Sequence, residues 1–304
     1  MADAIADPRI DGLDWAPDFD LAQATTMGVG GTAAALATAR SAEALHAVLR
    51  RARQSEWPIW LLGGGSNTIF GLDRFEGVIL RLGREFAGRQ NEGDGRLRIG
   101  SAATAAAAVK EAQRAGLSGL EFMAGIPGWI GGALAGNAGQ QGQAICDLAE
   151  TVWGADWNGE AVELSRGEFD FSYRKSDLAK IVVTATRFLL KPSDESAIKS
   201  MIEKFLSIRR EQPVGWRSSG CIFKNPPGES AGRLIDRAGL KGCAIGGAMV
   251  AREHANFIVN QGGASPRDVL ELIDHVRQTV LSRHGVELEL EVKVVRDSLG
   301  PKNA

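Results

Sequence analysis

Two clusters of glycine carry the first chemical signal in the sequence. Leu62-Gly63-Gly64-Gly65-Ser66-Asn67 ends a short apolar run that begins at Pro58. Further on, Ala124-Gly125-Ile126-Pro127-Gly128-Trp129-Ile130-Gly131-Gly132 leads into Gly136-Asn137-Ala138-Gly139. A strand that runs into consecutive glycines sets successive backbone N–H groups around a concavity, which suits the oxygens of a pyrophosphate. The first cluster has neither the Lys-Ser/Thr ending of a P-loop nor the GxGxxG spacing of a dinucleotide fold. The bland alternatives are a tight turn for the first and close helix packing for the second.

Charged and nucleophilic side chains form the second signal. Tyr173, the only tyrosine, stands beside Arg174 in Phe171-Ser172-Tyr173-Arg174-Lys175-Ser176. An unpaired guanidinium in apolar surroundings is expensive, so Arg174 should meet an anion, either a ligand or a structural ion-pair partner. Ser218 to Pro226 combines small residues with Cys221, Lys224 and Asn225, a set that suits a substrate phosphate with an acid beside it; a buried inert thiol is the alternative. Glu287, Glu289 and Glu291 alternate with Leu288, Leu290 and Val292, so the three carboxylates share one face of a strand, a face that is often simply solvated. His254 stands alone, as a hydrogen-bonded structural histidine does. With four histidines, none close to a cysteine or to another histidine, no metal site is expected.

The composition narrows the class of function. In 304 residues, 35 Lys plus Arg are set against 37 Asp plus Glu, a net charge of -2 that argues against a nucleic-acid binder. Three widely spaced cysteines, Cys146, Cys221 and Cys243, make neither a disulfide framework nor a CxxC clip, and a reducing cytoplasm is the expected setting. The N-terminal residues 1–20 carry Asp3, Asp7, Asp11, Asp14, Asp18 and Asp20, unlike a secretory signal, and read as a flexible tail. Phe122 to Cys146 holds no charge, but its glycines and Pro127 would leave backbone groups unsatisfied in lipid, so no membrane contact is expected.

The elements that must position these groups read as an α+β protein. Ser41 caps a predicted helix to about Gln54, and Thr104 to Ala115 gives another that ends at Gly116. Strands are predicted over Pro58 to Leu62, Gly77 to Leu82, Arg96 to Gly100 and Ile181 to Leu190. Asn158-Gly159 between two apolar runs predicts a hairpin with a type I′ turn. Near Lys191 the pattern turns helical, and a domain boundary is placed there. Ser265, Pro266 and Asp268 open a helix whose stripe is Val269, Leu272, Ile273, Val276 and Val280 and whose stop is Gly285. A strand from Val286 to Val295 closes the chain.

Taken in order, these segments resemble the UDP-N-acetylenolpyruvoylglucosamine reductase family, flavoenzymes of bacterial peptidoglycan synthesis. The likeness runs from about Thr25 to Val295. Besides the segments above, Thr25-Thr26-Met27-Gly28-Val29-Gly30-Gly31, Ala231-Gly232-Arg233-Leu234-Ile235, His254 to Asn260 and Glu291-Val292-Lys293 carry it. The resemblance implies a two-lobed FAD-binding domain of the vanillyl-alcohol oxidase type over residues 21–190, with lobes of about 21–82 and 83–190. A C-terminal α+β substrate domain would follow over residues 191–304, its last strand returning to the active site. The single tyrosine matches the shorter form of the family, without a tyrosine-bearing lid.

The same likeness implies the chemistry. FAD would lie non-covalently on Leu62, Gly63, Gly64, Gly65, Ser66 and Asn67 and on Ala124, Gly125, Pro127, Gly128, Gly131, Gly132, Asn137 and Gly139. NADPH would reduce the flavin, and N5 would then pass the hydride to C3 of the enolpyruvyl group of the UDP-sugar. Relatives usually donate the proton to C2 from a serine, and the matching position here is Cys221. Arg174 and Glu291 would hold the substrate carboxylate and the enolate-like charge, while Tyr173, Lys224, Asn225 and His254 would contact the sugar nucleotide. A thiol is mostly protonated near neutrality and is a stronger acid than an alcohol, so the replacement is chemically competent, at the expected cost of easier oxidation. A cytoplasmic monomer is expected. A flavin-dependent alcohol or lactone oxidase on the same scaffold, and a non-catalytic sugar-nucleotide binder, are the competing readings.

Overall fold

The computed structural model describes residues 5–210, 212–213 and 215–297; Asp3 of the acidic run and residues 298–304 of the expected C-terminal domain lie outside them. Three sheets of four or five strands divide the described chain. The first runs in the order Leu13–Asp20, Thr32–Ala39, Arg74–Leu82, Ile59–Leu61, with the first pair antiparallel and the others parallel. Ser41 accepts from the Ala44 N–H and caps the helix Ala42–Gln54, whose Leu45, Val48 and Leu49 pack on Ala37, Val78 and Leu80. Leu13–Asp20 corrects the expectation of a flexible tail. Its acids alternate with Leu13, Trp15 and Phe19, so one face can pack while Asp14 and Asp18 meet Arg40 and Arg74 at the surface, as suits a charged edge strand.

The second sheet is antiparallel throughout, in the order Ala161–Ser165, Ala149–Ala155, Val182–Leu189, Arg96–Gly100, Arg89–Gly93. Its core takes in the helices Ala105–Arg114 and Ile130–Ala135 and also Phe205 of the helix Glu195–Arg209, with Met201 and Ile202 beside it. The boundary expected near Lys191 therefore moves past this helix, whose apolar side belongs to the second sheet. The predicted hairpin forms, but with a different turn: Asp156 Oδ1 accepts from the N–H groups of Asn158 and Glu160, and only Gly159 has a positive φ, so this is a longer loop and not a two-residue type I′ turn.

The third sheet, Arg217–Cys221, Phe257–Asn260, Ala248–Val250, Ala244–Ile245, carries the helices Ala231–Arg237 and Pro266–His284. Met27, Val29 and Ile69 from the first part of the chain are built into its core, which joins the two regions by burial and not by a linker alone. The expected closing strand shortens to Lys293–Val295, paired in parallel with Thr68–Phe70. The uncharged Phe122 to Cys146 stretch is cut into short pieces, including the helix Ile130–Ala135 and the paired Gly139–Gln140 and Gln143–Ala144. No described helix is long and apolar enough to cross a membrane.

Candidate active site

The two glycine clusters meet. Ser66 Oγ donates to the Pro127 carbonyl at 3.2 Å, and a Cβ on Gly64 would lie 3.2 Å from Gly128 Cα, so both backbones approach because neither carries a side chain there. Gly65 has φ +65, and a Cβ on it would overlap the Ala24 carbonyl oxygen. Leu62 continues its strand through a bond from its N–H to Leu80 O, and Gly132 opens onto free space. The Trp129 indole lies against Gly63 and Gly64, with the Arg81 guanidinium 5.8 Å from its ring. Arg81 Nε is buried without a hydrogen-bond partner. Two side-chain-free backbone segments beside a guanidinium whose buried Nε is unbonded fit a dinucleotide pyrophosphate, so the residues present suit FAD.

Several residues expected in that cradle also have structural duties in the fold. Asn137 is buried and has both ends of its amide committed, Nδ2 donating to Ser172 O at 2.9 Å and Oδ1 accepting from Cys146 N–H at 3.2 Å. A Cβ on Gly139 would overlap Gln143 O in the adjoining turn, so the turn itself requires that glycine. Ala124 is buried at the end of a 3-10 turn, while Gly125 packs on Arg209 and Gly131 on Ser101. Asn137 anchors the hairpin Phe171–Ser172/Lys175–Ser176, at whose tip stand Tyr173 and Arg174. Arg174 has φ +55, a strained conformation for a side-chain-bearing residue and one retained where surrounding structure enforces it.

The three side chains expected to react come together. Arg174 Nε lies 2.8 Å from Glu291 Oε1, off the alignment of a full hydrogen bond. Burial pushes the Glu291 carboxyl above the usual carboxylate range, against the pull of Arg174, Lys224 and Arg209. Cys221 feels Glu291, Arg209 and Arg174 electrostatically, and burial pushes its thiol up to about 12. That value corrects the expectation of an activated, readily oxidised thiol: Cys221 holds its proton firmly, and the thiolate that oxidants attack is scarce. The sheet register slips between Ser218 and Cys221, and Gly220, with φ +75, takes up the slip and re-aims the cysteine.

Opposite Cys221, the acid arrives on a neighbouring extended segment. Glu291 N–H donates to Ile222 O, and Lys224 N–H donates to Glu289 O, each at 2.8 Å. Of the three alternating carboxylates, Glu287 and Glu289 stay exposed and only Glu291 is drawn inward. Lys224 pairs with Glu289, and Asn225 N–H reaches Tyr173 Oη at 3.5 Å. Asn225 Oδ1 accepts from Ala231 N–H at 3.0 Å and is partly committed to that helix. His254 lies edge-on to Phe257, with Nδ1 accepting from Asn256 N–H, and burial lowers its pKa. It borders Gly232.

Two residues that sequence reasoning did not single out also shape the site. Asn256 is buried and clamps the Cys221 segment, taking Phe223 N–H on Oδ1 and giving Nδ2 to Phe223 O. Arg209 brings a second guanidinium to Cys221 and Glu291. An asparagine inside the matching stretch His254 to Asn260 was visible; an arginine at the end of a charge-rich helix had no distinguishing pattern.

Comparison with known proteins places this geometry in context. Residues 212–295 match the family described as UDP-N-acetylenolpyruvoylglucosamine reductase, C-terminal domain, and residues 33–165 match an FAD binding domain. The UDP-N-acetylenolpyruvoylglucosamine reductase of Heliobacterium modesticaldum is 41% identical over 290 residues, covering 94% of this chain and 92% of its own. That of Moorella thermoacetica is 42% identical, covering 92% of each chain. The crystal structure of the UDP-N-acetylenolpyruvylglucosamine reductase from Thermus caldophilus superposes with a TM-score of 0.80 at 38% identity, over 93% of this chain and 98% of that one.

Proposed function

The chain belongs to the UDP-N-acetylenolpyruvoylglucosamine reductase family, and we propose that it performs that family's reaction with Cys221 as the proton donor. It is an FAD-dependent oxidoreductase that uses NADPH to convert UDP-N-acetylglucosamine enolpyruvate to UDP-N-acetylmuramate for peptidoglycan. The observation that carries the assignment of roles is the convergence of Arg174, Glu291 and Cys221 beside the paired glycine clusters. FAD held on the two glycine clusters would supply hydride transfer between NADPH and the vinyl ether of the substrate.

The protein's own residues handle the rest of the balance. As hydride adds to C3, the π pair shifts onto C2 and its carboxylate, and Arg174 faces that growing charge. Cys221 then gives its proton to C2, and solvent reprotonates the thiolate. A thiol held protonated by burial is in the donor form across the physiological range, and the nearby guanidinium groups steady the brief thiolate. Glu291 fixes the Arg174 guanidinium across the cavity. Tyr173, Lys224 and Asn225 hold the sugar nucleotide diphosphate; His254 contributes from the flank. Its substrates and the unpaired cysteines support a cytoplasmic setting.

Rapid mixing tests this reading. Cys221→Ala should let NADPH bleach the flavin at the wild-type rate while the enolpyruvyl sugar nucleotide no longer reoxidises it, and Cys221→Ser should recover much of the second half. Normal turnover by the alanine variant would make the thiol a bystander. A purified protein that neither holds FAD nor reduces the substrate would sink the whole assignment.

A further inference from the structure

Arg209 ends the helix Glu195–Arg209, and its stem packs on the second glycine cluster: a Cβ on Gly125 would lie 2.9 Å from Arg209 Cγ. Burial lowers its pKa, and it lies within electrostatic reach of Cys221, Arg174 and Glu291. Its Nη1 donates to Gln212 Oε1 at 3.0 Å, a neutral partner, while Nε is buried and bonded to nothing. Glu291 is the only carboxylate acting on it among the described residues, and that carboxylate lies 2.8 Å from Arg174 instead. Arg174 Nε is also without an aligned hydrogen bond. Among the described residues, two guanidinium groups thus face one carboxylate, which leaves one of them without a carboxylate of its own. A buried guanidinium in that state calls for an anion.

We infer that Arg209 is the cation that receives the carboxylate of the enolpyruvyl group, leaving Arg174, steadied by Glu291, to face the reacting carbons. The inference rests on the function proposed above and divides its two electrostatic tasks between two side chains. Electron density pushed onto C2 spreads into the adjoining carboxylate. A planar guanidinium on those oxygens is therefore held more tightly as the charge develops than in the ground state, which makes Arg209 a contributor to rate as well as to binding. Its contact with Gly125 makes the flavin the rival anion, and the experiment separates the two.

Wild-type holoenzyme, Arg209→Lys and Arg209→Gln are titrated calorimetrically with the enolpyruvyl sugar nucleotide and with its carboxamide, which lacks the charge. Arg209→Gln should weaken binding of the acid by about 30-fold or more, the usual consequence of stranding one member of a buried charge pair. The carboxamide should bind wild type and variant alike, and Arg209→Lys should fall between for the acid. Added guanidinium ion should restore turnover to Arg209→Ala. Equal losses on acid and carboxamide, or a change confined to FAD affinity, overturn the inference. A wild-type protein that neither binds nor reduces the acid refutes the parent reading, a result distinct from either.

Discussion

A single thiol shows how far a residue's chemistry depends on its surroundings. In water Cys221 would titrate near 8.5; in the fold, burial raises it to about 12, with Glu291 pushing the same way and Arg209 and Arg174 opposing. Cys221 is therefore held as the neutral thiol and is a poor nucleophile. Iodoacetamide should label it slowly at pH 8, with the rate still rising at pH 10, where a free thiol has levelled off; a plateau near pH 9 would show an activated thiolate. The linkage to stability has a definite sign. The folded state keeps this proton longer than the unfolded chain, so the stability contributed by the neutral thiol is complete below about pH 9 and is lost as pH climbs toward 12. From the sequence, Cys221 was expected to be an acid beside a phosphate-binding set. Its pKa was not legible there, because it is set first by burial in the folded chain and then by charges from residues 291, 209 and 174.

Local elements were legible wherever their signals were local. Ser265 and Asp268 form a reciprocal capping box, and Gly285 closes the same helix with φ +67, as the run from Ser265 to Gly285 predicted. The Asn158-Gly159 hairpin was half legible: two strands pair, but the Asp156 side chain organises the loop and changes the turn. Two glycines with similar φ should therefore respond differently to alanine. Gly285→Ala has open space around it and should cost about 1–2 kcal/mol through its left-handed backbone alone, with FAD affinity unchanged. Gly65→Ala also drives a methyl into Ala24 O, so it should both lower Tm and abolish tight FAD binding. Thermal melts with and without FAD, alongside flavin-fluorescence titration, check the pair; unchanged FAD affinity in Gly65→Ala would remove that loop from the cradle.

At the scale of the molecule, the cofactor cradle and the acid are joined by a short seam. Lys293 N–H donates to Asn67 O at 2.9 Å, Asn67 Nδ2 donates to Glu291 O at 3.3 Å, and Lys293–Val295 pairs with Thr68–Phe70. Asn67→Ala removes only the side-chain bond, worth ~1 kcal/mol, so FAD affinity and substrate reduction should each fall by about 5-fold. A fall in one alone would show that the seam does not couple the two. From the order of its glycines, helix caps and apolar alternation, the sequence determined that the chain is α+β, where its main helices begin and end, and which family it resembles. Those are short-range properties, written in neighbouring residues. Only the tertiary structure decided that Leu13–Asp20 is an edge strand, that Glu195–Arg209 packs on the second sheet, and that Arg209 and Asn256 belong to the site. It also decided that Glu291, alone of its alternating trio, turns inward. Each of these depends on which distant surface a segment buries against, and burial is a property of the packed chain that no local pattern encodes.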